Sequence, residues 1–435
     1  GGDDRDIAFS VLETNDAGYI ITGYTKSYGS GNNDIWVVKT DENGQTCDYS
    51  ENGNCYTGTS TWVRTFGNGL NQSGRAMVQF DNGTGTKFAI LSQEEINNTD
   101  IGLYIIDSNG DEIGIQRYYG GNQTDIGYSI IDANDGFVIV GYTKSYGNGS
   151  PGDIWMIKTN YEGSSCVLGN YNEGLYDKYN DSCHSEEFED LNENEIWDVE
   201  EDFTDENGNG VWDDADADEH CNGNCYNDED NSWARTYGGL GTDYALSIDL
   251  NYENNFEQTT GNHLGYILTG ATNSFSENSF DLWLIKTDIN GNTCDYNYIE
   301  DYYDLNNNDF YDESEPFIDL NNNLVWDNYY GRCYNDDSQW VNYFGSSNDD
   351  IGRSVKSTLD KGYIIAGEIE TDFEKEDAWI IKVTESGIKL WDYQLGGNKK
   401  DVSKSIVVEP NGYIFAGGSV SFSENEKMDI TLTKL

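Results

Sequence analysis

The chain has 435 residues, of which 80 are acidic and 24 basic, so its formal net charge at neutral pH is −56. A surface this negative repels nucleic acids and anionic membranes, and we expect neither as a partner. No apolar stretch is long enough for membrane insertion. A single domain over residues 1–435 accounts for the length without linkers.

An internal repeat of about 51 residues, lengthened by insertions, is the strongest signal along the chain. The first copy consists of four segments, Asp6-Ile-Ala-Phe-Ser-Val, Gly18-Tyr-Ile-Ile-Thr-Gly23, Asp34-Ile-Trp-Val-Val-Lys39 and Trp62-Val-Arg-Thr-Phe-Gly67. The lead residue recurs in six copies, at Asp6, Gln72, Asp125, Asp243, Asp350 and Asp401. Each copy therefore predicts four short strands separated by turns.

Four strands per repeat predict an all-β fold, a β-propeller of four-stranded blades with six repeats visible. A parallel β-helix is the alternative, but its coils are much shorter than this repeat. The last copy stops at Leu435 without a Trp-bearing fourth strand, and the first opens at Gly1-Gly2, just after the place where such a strand would end. We expect the chain to be a fragment or a processed form, in which residues before Gly1 complete the sixth blade or further blades are missing.

The repeat also resembles a known family. Its consensus, Trp-x-x-x-Tyr-Gly-Gly-x-x-x-Asp, then Gly-Tyr-Ile-x-x-Gly-x-Thr-x-Ser, then Asp-x-Trp-x-x-Lys, resembles the repeats of secreted bacterial β-propeller proteins of the SBBP type. The resemblance covers all six copies outside the insertions. The second copy departs most, with Gly102 and Ile105 where other copies carry Trp and Lys. The resemblance implies a propeller fold and export, and much less about activity.

Eight cysteines occur, and six of them stand at equivalent places in three copies. Pairing across these places predicts the disulfides Cys47–Cys55, Cys166–Cys225 and Cys294–Cys333, which leaves Cys183 and Cys221 within one insertion. An even count with repeat-consistent pairing indicates an oxidising compartment, so we expect a secreted or cell-surface protein. Zinc is the alternative, because Cys183-His184 and His220-Cys221 offer suitable ligands near Cys225.

Two acidic insertions, 167–231 and 295–338, separate the third and fourth strands of blades 3 and 4. Each contains loops with oxygen ligands at positions 1, 3, 5, 9 and 12, the spacing with which a tight loop surrounds Ca²⁺. The ligands of the four loops are Asp190, Asn192, Asn194, Asp198 and Glu201; Asp205, Asn207, Asn209, Asp213 and Asp216; Asp304, Asn306, Asn308, Asp312 and Glu315; and Asp319, Asn321, Asn323 and Asp327. Backbone carbonyls at position 7 come from Ile196, Val211, Phe310 and Val325.

The fourth loop has Tyr330 at position 12, which makes it the weakest. The loops are similar to the calcium loops of dockerin and thrombospondin type-3 repeats, because paired loops start too close together for two helix–loop–helix hands. We expect about three or four structural Ca²⁺ ions. A solvated acidic loop with coincidental spacing is the alternative.

Other repeated residues have a structural interpretation and a functional one. The lead aspartates either cap their own turns or form a ring of carboxylates that binds a cation or a polyol, and we favour the cap. The third-strand pairs, Asp34 with Lys39 and their copies, are expected to be polar contacts within a blade. The Trp residues at 36, 155, 283 and 379 are expected in the core between blades. The aromatic residues of the loops after the second strands either cover blade edges or form a ligand face; they are Tyr28, Tyr146, Phe275 and Phe422.

Three functions fit the sequence. The first is an extracellular calcium-stabilised binding or adhesion module whose partner is a protein or a glycan on a cell surface, with self-assembly as a further possibility. The second is a polysaccharide-acting enzyme, a hydrolase or lyase. The third is a structural module of a larger surface or filament assembly. We expect no enzyme, because no non-repeating cluster of a carboxylate with His, Tyr or Arg stands out in the sequence.

Overall fold

A computed structural model gives the architecture of the chain. It describes residues 1–30, 32–49, 52–95, 98–147, 151–166, 170–172, 175–177, 225–227, 231–252, 263–275, 279–294, 332–335, 338–372, 375–423 and 427–435. Within these residues the chain forms strands and turns and no helix. They fall into two compact units, Gly1–Ile248 and Asp249–Leu435.

The first unit contains three antiparallel sheets, which we number as blades in chain order. Blade 1 consists of β1 (Asp6–Glu13), β2 (Tyr19–Thr25), β3 (Asp34–Thr40), β4 (Cys55–Tyr56) and β5 (Trp62–Phe66), in the order β1-β2-β3-β5-β4. Blade 2 consists of β6 (Gln72–Phe80), β7 (Lys87–Glu95), β8 (Thr99–Asp107) and β9 (Arg117–Tyr119), in sequence order. Blade 3 consists of β10 (Asp125–Asp132), β11 (Phe137–Thr143), β12 (Asp153–Thr159), β15 (Cys225–Asn227) and β16 (Ser232–Tyr237), in the order β10-β11-β12-β16-β15.

A small separate hairpin, β13 (Asn170–Asn172) and β14 (Leu175–Asp177), lies in the first insertion. β17 (Asp243–Tyr252) spans the boundary of the two units and begins blade 4. That blade continues with β18 (His263–Thr272), β19 (Asp281–Asp288), β20 (Cys333–Asn335) and β21 (Gln339–Phe344), in the order β17-β18-β19-β21-β20. Blade 5 consists of β22 (Asp350–Ser357), β23 (Tyr363–Asp372), β24 (Lys375–Val383) and β25 (Lys389–Leu395), and blade 6 of β26 (Asp401–Glu409), β27 (Gly412–Ser419) and β28 (Asp429–Lys434).

The fold class is the predicted one: the chain is an all-β protein of six antiparallel sheets, the blades of a β-propeller. One detail differs from the sequence-based expectation. A short fifth strand pairs with the outer side of the fourth strand in blades 1, 3 and 4, and it begins at Cys55, Cys225 and Cys333, respectively. Blade 6 has three strands in the described part of the chain, as its shorter repeat indicates.

The repeated glycine of the second strand has a steric cause. Gly23 lies opposite Trp36 on β3, and the same pairing recurs between Gly141 and Trp155. The first strand bulges beside this glycine. A Cβ on Gly23 would lie 1.9 Å from the Ile7 carbonyl oxygen, so only glycine lets the bulge approach.

Neighbouring blades pack face to face, which explains why the second and third strands are apolar at nearly every position. Between blades 1 and 2, Ile35 and Val37 belong to one buried cluster with Met77 and Ile90. In the second unit, Ile380 of blade 5 forms a cluster with Ile406 and Phe415 of blade 6. A blade therefore needs a neighbouring sheet on each of its two faces to bury its apolar side chains.

The Trp that begins a fourth strand ties its blade to the next. Trp62 donates its indole N–H to the Ser108 carbonyl oxygen at 2.9 Å, and Trp340 donates to Glu385 at 2.8 Å. The accepting turns end in Gly110 and Gly387, and a Cβ on either would lie 2.8 Å from the indole ring. Glycine therefore allows the ring to lie on the turn.

Candidate functional site

Two of the predicted disulfides form, and they close the segment between the third and fourth strands in blades 1 and 4. Cys47 is bonded to Cys55 and Cys294 to Cys333, with Cα–Cα distances of 5.9 and 5.8 Å. Cys166 is also disulfide-bonded. The side chains of Cys183, Cys221 and Cys225, and the histidines considered as zinc ligands, His184 and His220, lie outside the described residues. The Cys294–Cys333 bond closes the base of the second acidic insertion.

The predicted calcium ligands, Asp190 to Asp216 and Asp304 to Asp327, lie outside the described residues. The same holds for the backbone carbonyls assigned to position 7. In the described residues no group of three or more His, Cys, Asp or Glu side chains has a geometry that would hold a metal ion. Calcium therefore stays a prediction from ligand spacing.

The lead aspartates cap their turns, as favoured from the sequence. Asp125 accepts the backbone N–H of Gly121 through Oδ2 at 2.8 Å, and the hydroxyls of Thr143 and Ser145 donate to the same carboxylate. The N–H of Gly239 donates to Asp243 at 3.0 Å and that of Gly397 to Asp401 at 2.9 Å. These bonds join the entry of each first strand to the turn before it.

The aspartates of the third strands meet the lead residues of the following blades. Gly67, Gly120 and Gly345 stand between the two partners. A Cβ on Gly120 would lie 2.5 Å from Asp100 Oδ1 and 3.0 Å from Asp125 Oδ2, and one on Gly345 would lie 1.7 Å from Asp281 Oδ1 and 3.0 Å from Asp350 Oδ2. We call these sets the junction pairs: Asp34–Gln72, Asp100–Asp125, Asp153–Asp243, Asp281–Asp350 and Asp377–Asp401.

Burial makes the charges of the junction pairs costly. Asp100 and Asp281 are each 6% exposed, and Oδ1 of each has no hydrogen-bond partner. Burial, followed by the Asp125 and Glu94 carboxylates, raises the pKa of Asp100 to about 7. Burial followed by Asp350 raises the pKa of Asp281 to about 6, and burial also raises that of Asp350 to about 6. In the Asp100–Asp125 and Asp281–Asp350 pairs, one carboxyl thus holds a proton in mildly acidic solution.

Blade 2 contains a buried polar cluster that the other blades lack and that the sequence analysis did not predict. Gln72 replaces the lead aspartate, and Glu94 lies opposite it, at the place of Thr25 and Thr143 in blades 1 and 3. Gln72 donates to Glu94 at 2.5 Å and to the Tyr104 hydroxyl at 3.1 Å, and Ser92 donates to the other Glu94 oxygen. The substitution of both partners preserves one hydrogen bond across the strand pair.

Asp100 belongs to the same cluster because it lies opposite Glu94 in the β7–β8 register. Gly102, where other blades carry Trp, makes room: a Cβ there would lie 2.3 Å from the Ser92 hydroxyl and 2.8 Å from Glu94 Cγ. The cluster could have been predicted from the second copy of the repeat, which has Gln72 and Gly102 where the other copies have Asp and Trp. With Glu94 fully buried and Asp100 6% exposed, the cluster can hold a proton but cannot contact a polymer substrate.

The aromatic residues of the predicted ligand face have different environments. Tyr28, Tyr146 and Phe275 pack against Trp36, Trp155 and Trp283, with ring centroids 6.0, 4.8 and 5.3 Å apart. Three of the four therefore cover the third strand of their own blade. Phe422 is 63% exposed, because Thr431 stands opposite Gly417 where other blades have Trp.

The tryptophans of the third strands are buried at Trp155, Trp283 and Trp379, whereas Trp36 is only partly buried. Trp36 contacts Tyr49, from the loop closed by Cys47 and Cys55, with ring centroids 5.4 Å apart. The loop between the two cysteines thus shields part of this indole.

The predicted pairing of the third-strand Asp with the Lys of the same strand is wrong, although Asp34, Lys39 and Lys158 do make polar contacts within their blades. Lys286 differs, because it donates to the Glu385 carbonyl oxygen of blade 5 at 3.4 Å. Lys39 forms an ion pair with Asp16 at 2.8 Å, and Lys158 with Asp135 at 2.7 Å. Both acids lie in the turn between the first and second strands. Asp34 instead accepts the backbone N–H of Ser30 at 2.7 Å. The partner of Lys39 and of Lys158 is therefore an acidic residue in the turn between the first and second strands, which lies beside the lysine in the folded sheet.

Comparison with known families gave no match to any family model. The curated proteins likewise contain no match to this chain. Within the described residues, no helix has the length and apolar character needed to cross a membrane.

Proposed function

We propose that this chain is an extracellular β-propeller, stabilised by calcium, that acts as a binding or adhesion module. The observation that carries the proposal is the Cys294–Cys333 disulfide at the base of the second acidic insertion. Structural disulfides form and persist in oxidising compartments and are rare in the cytosol. The residues that it encloses have the ligand spacing of two calcium loops.

The charge distribution supports calcium. Residues 177–230 contain 22 carboxylates and residues 295–337 contain 12. Carboxylates at this density repel one another, and bound Ca²⁺ offsets the repulsion. Extracellular modules bind Ca²⁺ at roughly 0.1–1 mM, so an extracellular calcium concentration occupies such loops without a sensor role.

Calcium titration of the intact chain tests the metal. We expect isothermal titration to show about three or four ions, with a lower melting temperature in chelator and faster proteolysis within 295–331. The variant Asp304→Asn/Asp312→Asn/Glu315→Gln should lose one ion. The matched control, Asp3→Asn/Glu42→Gln/Glu112→Gln, removes three exposed acids outside the insertions and should retain all of them. An unchanged melting temperature and unchanged proteolysis in chelator would contradict the proposal.

The ligand class is tested separately. The binding role predicts that the calcium-loaded chain retains a defined set of structures on a glycan array or on intact cells. Because Phe422 is the exposed member of the aromatic set, Phe422→Ala should weaken that binding at least threefold. Ile115→Ala, at a residue 72% exposed in another loop, is the control. Release of reducing ends from polysaccharides would instead indicate the enzyme.

A further inference from the structure

The bulges of the first strands hold side chains that differ from blade to blade. In blades 1, 2, 3, 5 and 6 the register of the first and second strands shifts at one position, so one first-strand residue has no partner across the sheet. β-Bulges re-aim a side chain and often lie next to functional sites. None of the five bulged residues is acidic, although the chain has 80 acidic residues. They are Phe9, Arg75, Tyr128, Arg353 and Lys404.

Blades 2 and 5 both have an arginine at the bulge, but the two arginines have different partners. Arg353 donates through Nε to Glu368 of β23 at 2.9 Å and forms an ion pair with it. Gln93 of β7 occupies the place of Glu368 in the register of blade 2, and Arg75 donates to its side-chain oxygen. The bulged arginine is therefore neutralised in blade 5, whereas in blade 2 it meets a neutral amide.

Arg75 has no acidic partner among the residues that the structure describes. Burial lowers the pKa of its guanidinium, and the phenols of Tyr24 and Tyr128 act in the opposite direction. Nε is buried without a hydrogen-bond partner, whereas Nη1 is unbonded and reaches solvent. Because a desolvated charge without a counter-ion is costly, an anion that pairs with Arg75 gains free energy.

The accessibility of Arg75 does not come from a missing neighbour. Blade 2 is covered on both faces, since Met77 and Ile90 pack against blade 1 while Ala89 and Leu91 pack against blade 3. Arg75 is nonetheless half-buried. Its surroundings come from blades 1, 2 and 3, which belong to one compact unit.

An aromatic ring lies beside the guanidinium. The Cζ atom of Arg75 is 4.7 Å from the centroid of the Phe9 ring. The Phe9 ring is in turn 6.0 Å from that of Tyr24. The site thus combines one uncompensated positive charge with an apolar aromatic surface, the composition of sites that bind an organic anion.

We propose that Arg75 binds the carboxylate of a uronic acid residue in a glycan ligand. The inference rests on the proposed binding function and names the chemistry of the ligand. The guanidinium pairs with the carboxylate, and the Phe9 ring packs against C–H groups of the sugar ring. An acidic side chain of a peptide has no ring to occupy that second place. Because the net charge of the chain is −56, a ligand with a single carboxylate is favoured over a polyanion.

Titration of the calcium-loaded chain with small molecules tests the ligand class. We expect isothermal titration to show saturable 1:1 binding of glucuronate, at least tenfold tighter than that of glucose, which has the ring without the carboxylate. The α-amide of N-acetylglutamate has a carboxylate without the ring and should also bind at least tenfold more weakly. Equal affinity for glucuronate and either comparison compound, or no binding of glucuronate at 50 mM, would overturn the proposal.

The comparison with blade 5 supplies the decisive variant. Gln93→Glu copies the Arg353–Glu368 pair and gives Arg75 an internal counter-ion. We expect its affinity for glucuronate to fall at least tenfold with no loss of melting temperature, and Arg75→Gln should lose the same affinity. Gln45→Glu adds an equal charge at an exposed residue of another turn and should bind as wild type does. Unchanged affinity of Gln93→Glu would overturn the proposal.

Failure of this site is distinguishable from failure of the proposed function. A glycan array on which wild type and Gln93→Glu retain the same structures equally well would overturn the role of Arg75 and leave the binding module standing. A wild-type chain that retains no glycan and no cell would contradict the proposed function itself, whatever the result with glucuronate.

Discussion

Asp100 and Asp125 lie on neighbouring blades, and each directs a carboxylate oxygen at the backbone of Gly120. The Cβ that any other residue would carry there would lie 2.5 Å from one oxygen and 3.0 Å from the other. Two carboxylates this deeply buried cannot both be charged without a large free-energy cost. The relationship recurs in the second unit between Asp281 and Asp350, so it belongs to the repeat rather than to one blade.

The pair predicts that stability falls as the pH rises. The pKa of Asp100 is raised from 3.8 to about 7 in the folded chain, so the folded state binds the proton more tightly than the unfolded state. The stabilisation is complete below the unfolded value and is lost as the pH rises through 7. Asp100→Asn imitates the neutral carboxyl, and we expect it to gain about 2 kcal/mol over wild type between pH 5 and pH 8.

Urea unfolding at fixed calcium concentration measures this difference at each pH. Asp3→Asn removes an exposed carboxylate and serves as the control for net charge. Parallel stability curves for wild type and Asp100→Asn between pH 5 and pH 8 would show that Asp100 does not hold the proton.

The contact between Gln72 and Glu94 predicts that a substitution at one residue can be compensated by a substitution at the other. Gln72→Asp restores the lead residue but places a carboxylate beside Glu94, which is fully buried and has a pKa already raised by burial. We expect a loss of about 2–4 kcal/mol in the free energy of unfolding at pH 8. Adding Glu94→Thr reproduces the Asp125–Thr143 pair and should recover at least half of that loss. A double variant no more stable than Gln72→Asp would argue against the pairing.

The close packing around Gly67 predicts that a larger residue at this position destabilises the fold. A Cβ at this position would lie 1.6 Å from Asp34 Oδ1 and 3.1 Å from Gln72 Oε1. We expect Gly67→Ala to lower the free energy of unfolding by about 1–3 kcal/mol, because the carboxylate must move away from its packed position. In the background of Asp34→Ala the same substitution should cost much less. Additive effects in this double-mutant cycle, measured in urea, would show that the two residues do not interact.

Removal of the acidic partner of a third-strand lysine should cost more stability in blade 3 than in blade 6. The Lys158 side chain is 2% exposed, and its partner Asp135 is 47% exposed. The corresponding pair in blade 6 has Lys434 53% exposed and Glu409 40% exposed. Asp135→Asn should cost about 1–3 kcal/mol, since it leaves a buried ammonium without its carboxylate, whereas Glu409→Gln should cost below about 1 kcal/mol. Equal losses in thermal or urea unfolding would contradict this.

The repeat was enough to predict the blades and their strands. Apolar segments such as Gly136 to Gly141 recur with Trp and Lys at fixed places, and two-sided burial is the only environment that suits such segments. The disulfides Cys47–Cys55 and Cys294–Cys333 followed from the same alignment. Capping of turns by the lead aspartates was also predictable, since that bond joins residues four apart in the chain.

Partners that lie on different strands or blades were decided only by the tertiary structure. Lys39 was assigned a contact within its blade, but only sheet pairing shows that the contact is Asp16 rather than Asp34. The second copy looked like a degenerate repeat, yet folding brings Gln72, Glu94 and Asp100 into one buried cluster. The sequence determined which segments form strands and which blade each strand belongs to. Packing of one sheet on the next decided which charges share a buried space, because that space exists only between two folded blades.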